Sequence, residues 1–165
     1  MGVLVMSLKT NDHRNKIIKV GWTLLHHVSE CYYSEQSNRW DWHNYKVPTF
    51  PFTSDCSGTV TALCYWGGGN DPNGTDFGYG NTETILHHAL SNKLVIPKDQ
   101  LLHGDFVLFG PGPTPVHVVM AMQNTLVHKN PLCFSMGKPG DPHLVPLSVL
   151  QGLGKPTFVR NVTRR

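Results

Sequence analysis

The 165-residue chain has no C-x-x-C pair, no H-E-x-x-H sequence and no apolar run near the ~20 residues needed to span a bilayer. The first two absences remove the compact zinc motifs, so no metal and no other cofactor is expected. The third argues against membrane insertion. Four cysteines (Cys31, Cys56, Cys64 and Cys133) are too scattered to read as a disulfide framework. The apolar opening Met1–Ser7 is too short for a secretory leader, and its basic residues follow it, so no secretory route is expected. No block of one charge sign occurs. A formal net charge of +3 argues weakly for an anionic surface such as a cell wall and poorly for nucleic acid. Internal repeats, low-complexity tracts and linkers are also missing. One domain over 1–165 is therefore expected, acting as a monomer, and any large polymer it binds must be met by that same domain.

What is present is a change of period along the chain. Apolar residues at Ile17/Ile18, Leu24/Leu25, Val28 and Tyr32 have helical spacing over about Asn11–Tyr33, with Gly21 as a close-packing point. A polar, aromatic loop follows from Ser34 to Phe52. Val60, Leu63 and Cys64 continue a second helix that ends near Trp66-Gly67-Gly68-Gly69. Thr82-Glu83 opens a third, which Asn92 ends. From Val95 the runs turn short and β-like: Asp105–Phe109, His117–Met122, Leu132–Ser135, Val145–Leu147 and Thr157–Val162. Helices first and an antiparallel sheet second is an α+β pattern.

Chemistry concentrates at Thr53-Ser54-Asp55-Cys56-Ser57-Gly58. Asp55 is a good N-cap, which puts Cys56 in the first turn of the second helix. Free N–H groups and the helix dipole there favour a thiolate, the nucleophilic form of cysteine. The N–H groups of Cys56 and Ser57 point to where an oxyanion would form. His117, at the head of a β-type run, supplies an imidazole. A thiol on a helix start and an imidazole on a strand start are the parts of a cysteine hydrolase.

Asp55-Cys56-Ser57-Gly58, then Gly104-Asp105-Phe106-Val107-Leu108-Phe109, then His117-Val118-Val119-Met120 resembles, in that order, the NlpC-type cysteine peptidases of bacterial cell walls. Those enzymes are papain-like and related to the CHAP amidases. The match covers roughly residues 45–137. The resemblance implies a nucleophile helix packed on a small antiparallel sheet. It also implies hydrolysis of amide bonds in peptidoglycan stem peptides, often the γ-D-glutamyl to diamino-acid bond. An N-acetylmuramoyl-L-alanine amidase with the same site is one alternative. An inactive wall-binding or virion structural module is another. Phage lysins use this fold, so an enzyme made in the cytoplasm and acting on the wall is the expected setting.

On this resemblance Cys56 is the nucleophile and His117 the general base. Tyr45 is the residue that fits the family's aromatic position ahead of the cysteine, as a second oxyanion donor or a packing ring. Asp105 fixes the turn into its strand. The third catalytic group stays open. A tight hairpin near Gln123-Asn124 puts His128 opposite His117. A longer connection returning at Leu132–Ser135 passes the role to Ser135, to Asp141 or to water. His27 and Cys31 fall at i, i+4, beside His26, and His87-His88 adjoin, but their spacing suits packed or exposed side chains better than zinc. Asn70–Asp76 offers oxygen ligands without the closing Glu of a calcium loop, so a solvated turn is expected.

Overall fold

The computed structural model describes residues 2–137 and 141–161. It is an α+β fold. Helix α1 (Gly2–His26) buries Ile17, Val20 and Leu24, which share one face at i, i+3 and i+7. It stops seven residues before the expected Tyr33. Cys31–Tyr33 is instead a short strand, β1, paired in parallel with β2 (Phe52–Ser54) in the register Cys31↔Phe52. Aromatic residues suit an extended backbone, and the partner strand takes their polar groups. The helical spacing of Val28 and Tyr32 is thus incidental. This also separates His27 from Cys31. The Cys31 thiol donates to the His27 carbonyl at 3.3 Å, while His27 pairs with Glu30 and stacks on Phe50.

Helix α2 (Cys56–Gly67) ends where Gly68 turns left-handed at φ 72°, a conformation glycine adopts without strain. Helix α3 (Thr82–Ser91) starts with a capping box between Asn81 and Thr84. The remaining strands are β3 (Val95–Ile96), β4 (Phe106–Gly110), β5 (His117–Ala121), β6 (Leu132–Ser135), β7 (His143–Pro146) and β8 (Lys155–Val159). They form one antiparallel sheet in the order β3-β8-β4-β5-β6-β7. Alternation along its strands splits the core in two. Phe106, Leu108, Val118, Met120 and Phe134 face α1 and α2. Val107, Phe109, Val119, Ala121 and Cys133 face Leu101, Leu147 and Leu150. Both sheet faces are therefore dry, which explains why the strands read as short continuous apolar runs. No helix among the described residues is long and apolar enough to cross a membrane.

Two polar devices tie these layers together. Arg14 on α1 donates to the Asp105 carboxylate at 2.8 Å and to the carbonyls of His103 and Asn161. Asp105 also accepts from the N–H groups of Leu102 and Asn161. Asp105 thus fixes the entry to β4, as expected from its sequence position, and in addition locks α1 to the end of the chain. The second device is Asp71, which corrects the expectation of a solvated turn. It is 7% exposed, and its carboxylate accepts from the N–H groups of Asn73, Thr75 and Phe77. Those donors occupy the oxygens that a calcium ion would need. Asn73 then reaches Thr61 on α2 and Thr84 on α3.

Gly21 packs closely on Met120 and Met122 of the sheet side, while the tighter approach of α1 to α2 lies at Gly67. A Cβ on Gly67 would sit 2.7 Å from the Ile17 Cα, whereas one on Gly21 would meet the mobile end of Met120 at 3.3 Å. Gly67→Ala should therefore destabilise the fold by roughly 1–3 kcal/mol, because backbone must move to admit the methyl group. Gly112→Ala, at a position with nothing within 4 Å, is the control. Denaturant unfolding of both variants checks this, and equal midpoints would contradict it.

Candidate active site

The start of α2 is built by Asp55. Its side chain accepts from the Gly58 N–H at 2.6 Å and from the Ser57 hydroxyl at 2.9 Å. Its backbone carbonyl accepts from Thr59. Arg39 closes an ion pair with the same carboxylate. Gly58 is required by space, since a Cβ there would lie 2.4 Å from the Ser54 hydroxyl. Asp55, Ser57 and Gly58 thus organise the turn on which Cys56 sits, as the sequence implied.

Cys56 is 7% exposed, and the backbone amides of Val118, Ser57 and Cys56 itself act to lower its pKa. Its pKa nevertheless moves opposite to the sequence expectation. Burial, then the neighbouring Asp55 charge, pushes it up to about 11, and the three donors only partly offset this. A helix-start position lowers a thiol pKa when water reaches the site, but here most of the sulfur's surroundings are protein. At neutral pH the resting group is the thiol.

His117 opens β5, one residue before Val118, whose backbone amide acts to lower the Cys56 pKa. No hydrogen bond joins the ring to the thiol among the described residues. The ring Nε2 instead pairs with the Ser135 hydroxyl at 3.0 Å. Nδ1 has no partner among the described residues. Burial, then His143, lowers the His117 pKa to about 4, so the imidazole is neutral as well. Gly137 lies against the ring, and a Cβ there would come 3.1 Å from His117 Cε1.

Neither His128 nor Asp141 meets this ring. The β5–β6 connection is the long one, with Met120↔Phe134 and Ala121↔Cys133 in register. His128 lies in that connection, exposed, with its N–H bonded to the Asn124 carbonyl. It is beyond the Ala121 end of β5, while His117 is at the other end, about 13 Å along the strand at ~3.3 Å per residue. Asp141 is exposed. Its carbonyl accepts from His143, and its charge acts on Cys31 rather than on His117. The longer connection hands the imidazole to Ser135, the first of the residues that it offered.

Tyr45 is also displaced from its expected place. It is 47% exposed, and its carbonyl accepts from the Trp66 indole near the far end of α2, ten residues or roughly 15 Å from Cys56. The phenol near the nucleophile belongs to Tyr33. Its pKa is raised by burial, by its bond to Glu35 at 3.0 Å, and by the charges of Cys56 and Asp55. Pairing of Tyr33 with Ser54 brings it there. Strands of three residues leave little sequence signature, so this neighbour was not legible. Arg39 had one usable signal, since a buried carboxylate at a helix start calls for a cation.

Of the four cysteines, Cys56 is the most exposed and the least raised in pKa. Iodoacetamide should alkylate it first. The rate should keep climbing as the pH is raised toward 11, because the thiol ionises there. Mass-mapped alkylation against pH checks this; fastest labelling at Cys31 or Cys133, or a plateau near pH 7, would contradict it.

No family model matches the chain, and no curated protein matches it. Among solved structures it superposes on the crystal structure of the P60 domain from M. avium subspecies paratuberculosis antigen MAP1204. The TM-score is 0.48 and the identity 18%, over 92% of this chain and 98% of that one. At that level the superposition assigns neither a family nor a role to any residue.

Proposed function

We propose that this protein is a cysteine hydrolase of peptidoglycan, cleaving a stem-peptide amide bond with Cys56 as nucleophile and His117 as base. The observation that carries the reading is the placement of Cys56 in the first turn of the Asp55-capped α2, in one core cluster with Val118, the residue after His117. The substrate class rests on the motif resemblance around Cys56, Asp105 and His117. On this reading the chain works as one catalytic domain and as a monomer. It acts on the wall as a phage lysin or virion enzyme would, without nucleic acid or membrane insertion.

The resting pair is neutral, so the thiol proton must leave as the sulfur attacks. Cys56 Sγ adds to the carbonyl carbon, and its proton passes to His117. The carbonyl oxygen becomes an oxyanion that backbone N–H groups at the helix start accept. Collapse breaks the C–N bond, and His117 returns the proton to the leaving amine. Water, deprotonated by His117, then hydrolyses the thioester and frees Cys56. Ser135 holds the imidazole through Nε2, which leaves Nδ1 as the nitrogen for the moving proton.

Digestion of purified peptidoglycans followed by mass spectrometry tests the class of bond and separates the endopeptidase from the muramoyl-alanine amidase. Cys56→Ala should reduce product to background while keeping the fold, and unchanged release would remove Cys56 from the mechanism. Ser135→Ala should lower kcat with KM nearly constant. Alanine at His128 or Asp141 should leave both parameters close to wild type. A strong kcat loss at either residue would reassign the third position.

The pH profile should be broad. Activity falls as pH drops through about 4, where His117 takes a proton and ceases to be a base. It changes at the alkaline end only near 11, where Cys56 ionises. A narrow bell between pH 5 and 8 in kcat/KM would indicate a preformed thiolate–imidazolium pair instead.

A further inference from the structure

A groove of about 330 Å³ opens beside the site, lined by Glu35, Gln36, Ser37, Arg39, Trp40 and Tyr79. That volume is at the lower end of the ~300–1,000 Å³ of small-molecule sites. Tyr79 is 74% exposed, yet its position is fixed. Its ring edges meet Trp40 at 5.6 Å and His43 at 6.0 Å. The next residue, Gly80, packs so closely on Asn73 that a Cβ would lie 2.1 Å from the Asn73 side-chain oxygen. Asn73 is itself buried and bonded to Thr61 and Thr84. A large aromatic surface is thus held in water on a clamped loop, where nothing in the fold requires it.

Both charged residues of the groove are engaged internally. Arg39 pairs with Asp55, reaches the Gly80 carbonyl and lies over the Trp40 ring. Glu35 accepts from Tyr33. The groups offered outward are the Gln36 amide, the Ser37 hydroxyl and the Tyr79 ring. An aromatic face beside neutral donors and acceptors suits a ring with C–H faces and polar edges. We propose that this groove is a saccharide subsite that stacks an N-acetylated amino-sugar ring on Tyr79, with Gln36 and Ser37 meeting its acetamido and hydroxyl groups. The proposal rests on the peptidoglycan reading, whose substrate carries such sugars next to its peptides. It also places the sugar near the reacting centre, because Arg39 and Glu35 hold Asp55 and Tyr33, the neighbours of Cys56.

The test is calorimetric titration of the full chain with chitotriose, an N-acetylglucosamine trimer free of peptide. Saturable binding is expected. Tyr79→Ala should weaken it about five- to tenfold, the scale of one lost aromatic contact, with unchanged thermal unfolding. Tyr79→Phe should retain it, since the ring and not the hydroxyl is used. Cys56→Ala should bind as wild type. Absence of saturable binding, equal binding by Tyr79→Ala, or binding to Tyr79 of a sugar-free stem peptide instead would overturn the subsite. Wall digestion by the Cys56→Ala protein reads the parent proposal separately. If wall hydrolysis depends on Cys56 and chitotriose does not bind, the groove assignment alone is lost. If chitotriose binds through Tyr79 and hydrolysis is indifferent to Cys56, the hydrolase assignment is lost and the sugar site stands.

Discussion

A helix buried almost all round cannot leave its first N–H groups to water, and α2 is such a helix. Cys56 through Cys64 are all buried, between α1, the sheet and the Asp71 loop. The donors at its start must be met by protein. Asp55 meets the Gly58 N–H and the Ser57 hydroxyl, its carbonyl takes Thr59, and backbone amides at this end favour charge on the Cys56 sulfur. The site thus follows from the way the fold closes a helix end. The same closure carries a cost. Burial raises the thiol pKa, and the carboxylate of Asp55 raises it further. Arg39 sits on the far side of that carboxylate and balances its charge.

The layers around α2 are held by the other buried ion pair. Arg14 and Asp105 are almost wholly excluded from water, with side chains 3% and 0% exposed. Such a pair adds little net stability, and Arg160 lies 3.5 Å from the other Asp105 oxygen, so the carboxylate has a second cation. Its value here is positional. Asp105 opens β4, β4 pairs with β5, and the Phe109↔His117 step sets where the imidazole starts. Arg14 connects that frame to α1, which packs on α2 through Gly67. Cys56 and His117 therefore sit on elements whose separation is set by apolar packing and one polar lock, and not by contact between the two side chains.

What the sequence showed and what it hid divide along one physical line. Local signals were sound. Asp55 caps α2, Thr82 opens α3, His117 starts a strand, and Leu132–Ser135 is a strand at those bounds. Features decided by non-local pairing were not. The spacing of Val28 and Tyr32 carries the expected helix as far as Tyr33, and only the partner strand Phe52–Ser54 makes that end extended. The chemistry of His128 suits a triad, but the long β5–β6 connection leaves it away from the ring, and the residue bonded to the His117 imidazole is Ser135. The direction of the Cys56 pKa failed for a related reason. A helix-start position is readable from Asp55-Cys56, while the depth at which that start is buried depends on the whole fold.

The neutral thiol and neutral imidazole fit this depth. Separating charge inside a protein costs more than it does in water unless new donors arrive with it. At rest, the three N–H groups on Cys56 do not outweigh burial, so the proton stays on sulfur. On the proposed mechanism, negative charge develops on the carbonyl oxygen at the helix start only as the thiol proton leaves and the sulfur attacks. On that reading His117 gains its proton beside the newly formed anion. The reactive charge is then absent until the bond to be broken is in place, and the groups that receive it are ones that the buried end of α2 needs in any case.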